Sequence, residues 1–152
     1  MKQLTGSAHA DVAASIEACF ALLSDVGGYP GWHPDVVREV EVISHDADGR
    51  PARAQAVLHV SRGPLVRDFD LTLAVEHHPP GAINLIRLPN EPTDPEEFQV
   101  SWRLEPSGPN THVKLELNAN LAVPRIVPLT GVGDGPAAGF VTAMARGVSR
   151  SR

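Results

Sequence analysis

The hydrophobic pattern of this chain changes period once. From Val36 to Val123 apolar and polar residues alternate in short stretches divided by turn signals, and from Asp134 to Val148 the apolar residues recur every three and four positions. Alternation sends successive side chains to opposite faces of a strand, whereas spacings of three and four lay them along one stripe of a helix. The chain therefore encodes a sheet with one apolar face and then a helix with one apolar stripe, and each is the natural cover for the other. The stripe consists of Ala137, Phe140, Val141, Met144 and Val148, with Asp134 placed to cap the helix and Pro136 suited to its first turn. Gly139 and Gly147 each weaken this helix by about 1 kcal/mol relative to Ala, so packing against the sheet has to hold it.

The strands are read from phase. Val36–Ser44 carries Val36, Val40 and Val42 together, and Ala52–Ser61 carries Ala54, Ala56, Leu58 and Val60, with Asp48-Gly49 as the hairpin turn between them. Val66–Glu76 is the cleanest strand: Phe69, Leu71, Leu73 and Val75 point one way, while Arg67, Asp68 and Asp70 are read as a charged, solvated outer face. Pro79-Pro80-Gly81 ends it. A short strand, Ile83–Leu88, precedes an acidic, proline-rich loop from Pro89 to Glu97. Phe98–Leu104 and Thr111–Val123 follow, the latter with Val113, Leu115, Leu117, Ala119, Leu121 and Val123 inward. Upstream, Gln3–Val12 alternates loosely and reads as a first strand. Ala14 and Ser15 start a short helix with Ile16, Cys19, Phe20 and Leu23 on one face, ending near Asp25. Gly27 to Val36 holds two glycines and two prolines, which leaves room only for a short helical turn that tucks an aromatic against the core. Hairpin succession implies an antiparallel sheet. Arg125 to Gly133 is irregular but apolar and reads as a flap over an opening.

A chain of 152 residues is most simply one domain, spanning 1–152. A net charge of −5 argues against a nucleic-acid binder. No apolar run approaches the ~20 residues of a membrane span. The N-terminal stretch has no apolar signal core, so a cytoplasmic location is expected.

Catalytic signatures are missing: GxSxG, HExxH, CxxC, the P-loop and GxGxxG do not occur. No catalytic residue is assigned, no cofactor is expected, and the seven histidines show no ligand spacing, so no metal site is assigned. Adjacent His77 and His78 face opposite sides of a strand. Cys19 lies on the apolar face of the first helix and reads as a small buried hydrophobe. Tyr29, Trp32, Phe69, Phe98 and Trp102 read as core first and cavity lining second. Arg87 shares the phase of Ile83 and Leu85. Pointing inward and paired, it would anchor a carboxylate or phenolate, but the reading preferred here is a short edge strand with Arg87 reaching back to water. Asp94, Glu96 and Glu97 read as simple solubility.

Two stretches carry a family resemblance. SIEACFALLSDVGGYPGWHPDV, through Asp25, Tyr29, Pro30, Trp32 and Pro34, resembles the helix-and-turn signature of the START/Bet v 1-like (SRPBCC) helix-grip superfamily, in particular its bacterial polyketide cyclase/dehydrase and lipid-transport branch. WRLEPSGPNTHVKLEL, Trp102 to Leu117, is similar to the penultimate hairpin of that branch. The resemblance implies an α+β fold: a curved antiparallel sheet of about six to seven strands wrapped around a long C-terminal helix, two short helices after strand 1, and an apolar cavity between sheet and helix. It implies binding, or transport, of a hydrophobic small molecule such as a lipid, an isoprenoid or a polyketide-like aromatic. Trp32, Leu58, Phe69, Leu71, Leu73, Leu85, Arg87, Phe98, Val100, Trp102, Leu117, Phe140 and Met144 are the candidate ligand contacts. A polyketide aromatase/cyclase or dehydratase is the alternative, and it requires an acid or base inside, such as an inward-turned His33 or His59. A protein-interaction domain with a filled core is the second alternative. Oligomeric state is left open.

Overall fold

The structure is a computed structural model that describes residues 2–62, 65–89, 91–121 and 134–150. Its elements are β1 (Lys2–Val12), α1 (Ile16–Ser24), a 3-10 turn (Val26–Gly28), α2 (Tyr29–Trp32), β2 (Val37–His45), β3 (Pro51–Arg62), β4 (Leu65–His78), β5 (Ala82–Arg87), β6 (Glu97–Ser107), β7 (Asn110–Leu121) and α3 (Asp134–Arg150). The fold is α+β, with the helix-grip arrangement expected from the sequence. The strands form one antiparallel sheet in the order β1-β7-β6-β5-β4-β3-β2. Every neighbour but one is a hairpin partner. The exception is β1, which pairs with β7 from Lys2↔Leu121 to Val12↔Thr111. The expected flap at Arg125 to Gly133, the inward placement of Leu121 and Val123 and the Asp134 cap lie outside the described residues or side chains.

Local chemistry accounts for the elements. Ser15 Oγ accepts from Ala18 N at 3.1 Å and caps α1, which buries Cys19, Phe20 and Leu23. The β2–β3 turn is held by Asp46 Oδ1, which accepts from Asp48 N at 2.9 Å and Arg50 N at 3.0 Å. Gly49 sits in it at φ 82°, a conformation open to glycine at little cost. Thr111 Oγ1 donates to Ala14 O at 2.8 Å, fixing the start of β7 to the chain leaving β1.

The strand phases hold along β3, β6 and the described part of β7, and β2 and β4 each bring a correction. In β2 the buried residue is Val37, not Val36, because the register slips between Val37 and Glu39. A bulge of this kind resets which side chains face inward. In β4, Arg67 shares the phase of Phe69 and belongs to the inner side, with its guanidinium carbon 4.2 Å from the Phe69 ring centroid. The outer face is Asp68 and Asp70, bonded across the ladder to His59 at 2.7 Å and Gln55 at 3.0 Å.

α3 packs along β1 and β7 and touches α1 and α2. The 3-10 turn lies over β2 and β3, α2 over β2, and α1 over β5, β6 and β7. Among the described residues the inner face of β2 to β6 is thus covered mainly by these short pieces, with Phe140 of α3 reaching over it. Gly147 explains part of the seating of α3. A Cβ there would stand 2.9 Å from Trp32 Cβ, so glycine is what lets α2 and α3 approach.

Candidate ligand-binding site

A cavity of about 40 Å³ lies where the cover is made of short pieces. Val26 and Tyr29 wall it on one side, Phe140 of α3 on another, and the sheet floor is Val37, Val40, Ala54, Ala56, Leu58, Leu73, Leu85, Phe98, Val100 and Trp102. Its origin is steric. Ala54 and Ala56 stand opposite Leu73 and Leu71 in the β3–β4 ladder, and their missing volume is not refilled from above. Side chains two apart on a strand share a face, so the floor is one continuous apolar surface across five strands.

The polar groups nearest this wall are committed or desolvated. Tyr29 Oη donates to Leu23 O at 2.6 Å, and burial pushes its phenol far above the ordinary range. The indole N–H of Trp102 lies beside that hydroxyl without closing a hydrogen bond, and Trp32 Nε1 is likewise buried without an acceptor. His33 is buried against the Phe140 ring, centroids 4.5 Å apart, and stacks on Trp32 at 6.1 Å. Burial lowers its pKa, Asp35 opposes this, and Nε2 has no partner. His33 does not line the cavity, and His59 is on the outer face with Asp68. Among the described residues no group of His, Cys, Asp and Glu is placed to hold a metal ion. Burial raises the Cys19 thiol.

Charge gathers at one end of the inner face. β5 is an interior strand, and the Arg87 side chain is only 4% exposed, so the expected edge position and snorkelling are corrected. A buried guanidinium needs partners. Nη2 donates to Asp94 Oδ2 at 2.6 Å and Nη1 to Glu96 O at 2.7 Å. Asp94 Oδ1 accepts from Glu96 N at 3.1 Å, and Arg67 Nη1 stands 3.8 Å from Glu96 Oε2. Asp94 and Glu96 are therefore structural counter-charges, not only solubilising groups. Arg87, Asp94 and Glu96 line a separate open cleft of about 570 Å³ together with Asn118 and Asn120.

Of the sequence-derived candidates, the cavity gathers Leu58, Leu73, Leu85, Phe98, Val100, Trp102 and Phe140. Phe69 and Leu71 are buried on the same face beside it, Leu117 and Met144 are packed in the core, Trp32 lies behind Phe140, and Arg87 faces the cleft. Val26, Val37 and Val40 line the cavity without having been singled out. Val37 was hidden by the bulge, and Val26 belongs to a turn with no periodic signal.

A family model described as polyketide cyclase / dehydrase and lipid transport matches residues 12–145. The chain belongs to that family. The match takes in α1 through most of α3, hence every wall of the cavity. Solved structures share the fold at low identity. A START-superfamily protein from Mycobacterium smegmatis is 20% identical at TM-score 0.80, covering 97% of this chain and 99% of that one. TTHA0849 from Thermus thermophilus is 17% identical at TM-score 0.75, with coverage of 97% and 98%. The Zhui aromatase/cyclase from Streptomyces sp. R1128 is 17% identical at TM-score 0.70, with coverage of 98% and 95%. A search of curated proteins gave no match. The family's fold is one for hydrophobic ligands, and no described helix is long and apolar enough to cross a membrane.

Proposed function

We propose that residues 1–152 form one cytoplasmic domain that binds a hydrophobic small molecule between the sheet and α3. A lipid, an isoprenoid or a polyketide-like aromatic fits the wall, and transport is a natural use of such binding. The observation that carries this is the uncharged cavity floor shared by five strands, set in a family of ligand-binding folds. Burying apolar ligand surface there stabilises the complex by roughly 25 cal/mol per Å². The seven candidates on the wall are its contacts, and Phe69, Leu71, Leu117, Met144 and Trp32 surround them. Small-molecule sites occupy about 300–1,000 Å³, so the 40 Å³ cavity has to widen to admit a ligand. Phe140 is half-buried on the N-terminal half of α3 and is the wall residue best placed to swing aside.

The small volume favours a second reading, in which the core is filled and the domain binds proteins. The enzyme reading has less support. Among the described lining residues Tyr29 is the one titratable group, and its proton is tied to Leu23 O. An aromatase needs a proton donor or acceptor at the substrate. Native mass spectrometry of the purified protein, followed by organic extraction, separates these readings. A retained apolar compound supports the binder and gives its class. An empty protein that takes up no lipid or aromatic probe sinks it in favour of the filled core.

A further inference from the structure

The apolar cavity and the charged cleft are not independent. Phe98 borders both. Leu73, on the cavity floor, stands directly across the β4–β5 ladder from Arg87. Leu85, also on the floor, precedes Arg87 by two positions on one face of β5. Residues so related lie about 5–7 Å apart. A ligand that fills the cavity and runs past the Phe98 ring therefore meets the Arg87 guanidinium, the one charge on β5.

The state of that guanidinium says what it can take. Arg87 is held by one carboxylate oxygen of Asp94 and one main-chain oxygen of Glu96. The second oxygen of Asp94 is occupied by Glu96 N, so the pair is not a two-pronged fork. Asp94 is carried by the loop after β5, whereas Arg87 is fixed in the sheet interior. A guanidinium is built to hold a carboxylate through two parallel bonds, and that arrangement is the stronger one. From this geometry we infer that the ligand is amphipathic: its apolar part occupies the cavity, and a terminal carboxylate displaces Asp94 from Arg87. The inference rests on the ligand-binding reading above and adds the head group to it. Asp94 keeps Arg87 neutralised while the site is empty and so meets the cost of burying an unpaired charge. The cleft, at about 570 Å³, opens beside Arg87 at the end of β5, with Phe98 and Ala119 of the inner face and Gln99, Asn118 and Asn120 of the outer face in its lining, and so lies open to water at the proposed head-group position.

The test uses a matched fluorescent pair, cis-parinaric acid and its methyl ester, titrated into the full chain at pH 8. The wild type is expected to bind the acid at least about tenfold more tightly than the ester, the size of one net charge-assisted hydrogen bond. Arg87→Gln should bring the two dissociation constants within about twofold of each other. Asp94→Asn removes the competitor and should tighten the acid alone. It also keeps the test decisive where Arg87→Gln fails to fold. Equal binding of acid and ester by the wild type, or an Asp94→Asn variant whose affinity for the acid is unchanged, overturns the inference and leaves the cavity reading standing. Binding of neither probe overturns the cavity reading, and the inference with it.

Discussion

The two glycines of α3 offer a test of how that helix is seated, because the same substitution should have opposite effects at each. Replacing Gly by Ala in a helix gains about 1 kcal/mol of propensity. At Gly139 nothing lies within 4 Å of the new methyl, so Gly139→Ala should keep the whole gain. At Gly147 the methyl would lie 2.9 Å from Trp32 Cβ and 3.2 Å from Trp32 Cγ, where ordinary contact begins at 3.4 Å. A Cβ cannot be moved by a change of rotamer, so α2 itself has to retreat by about 0.5 Å (3.4 less 2.9). Trp32 is buried, with Tyr29 at 4.7 Å and Phe140 at 6.4 Å between ring centroids, so the retreat disturbs a packed cluster. Overpacking of this kind costs about 1–3 kcal/mol. Set against the propensity gain, Gly147→Ala comes out from about neutral to 2 kcal/mol destabilised. For a domain of this size each kcal/mol moves Tm by about 2–4 °C. Thermal unfolding followed by circular dichroism should show Gly139→Ala above the wild type by about that much and Gly147→Ala clearly below Gly139→Ala. Equal rises in both variants would refute the close approach of α2 and α3.

Three further outcomes follow from buried groups. Tyr29→Phe removes the donor to Leu23 O and should cost about 1–3 kcal/mol in urea unfolding, with an unchanged m-value. Cys19 is fully buried with a raised pKa, so a thiol reagent at neutral pH should label the native chain far more slowly than the urea-unfolded one, and fast native labelling would contradict its placement. His33 has its pKa lowered in the fold, so the unfolded chain binds its proton more readily. The stability this contributes is complete above the unfolded value of about 6.5 and is lost as pH falls through the folded value. His33→Gln should lose less stability than the wild type between pH 7 and pH 5, and parallel losses would remove His33 from the account.

Alternation divided by turn signals carried the strands of the sheet, because one buried face imposes period two wherever a strand is regular. It failed at Val36 and Val37, where a bulge adds a residue that no composition signal marks. Phase put Arg87 with the inner residues, but its charge led to the preferred reading of an edge strand with the guanidinium in water, which the buried side chain overturns. Its partner could not be read, because Asp94 reaches it through the fold of a loop and not through any spacing. Arg67 was legible and misassigned: its parity matches Phe69, and its charge suggested the outside. The cavity walls were named in part, since lining follows from phase. Cavity volume does not, because it depends on how closely turn and helix descend onto Ala54 and Ala56.

The pairing of β1 with β7 sets the order in which the chain becomes foldable during synthesis. β1 leaves the ribosome first, yet the partner of Lys2 is Leu121. At about 5–20 residues per second, roughly 6–24 s pass before β7 exists. Through that interval β2 to β6 can zip up as successive hairpins, each within reach of its neighbour, while β1 waits with all its main-chain bonds unmade. α3, which lies along both β1 and β7, lacks the larger part of its seat until β1 docks. The docking of β1 thus covers the β7 edge, which until then presents a row of unpaired main-chain groups.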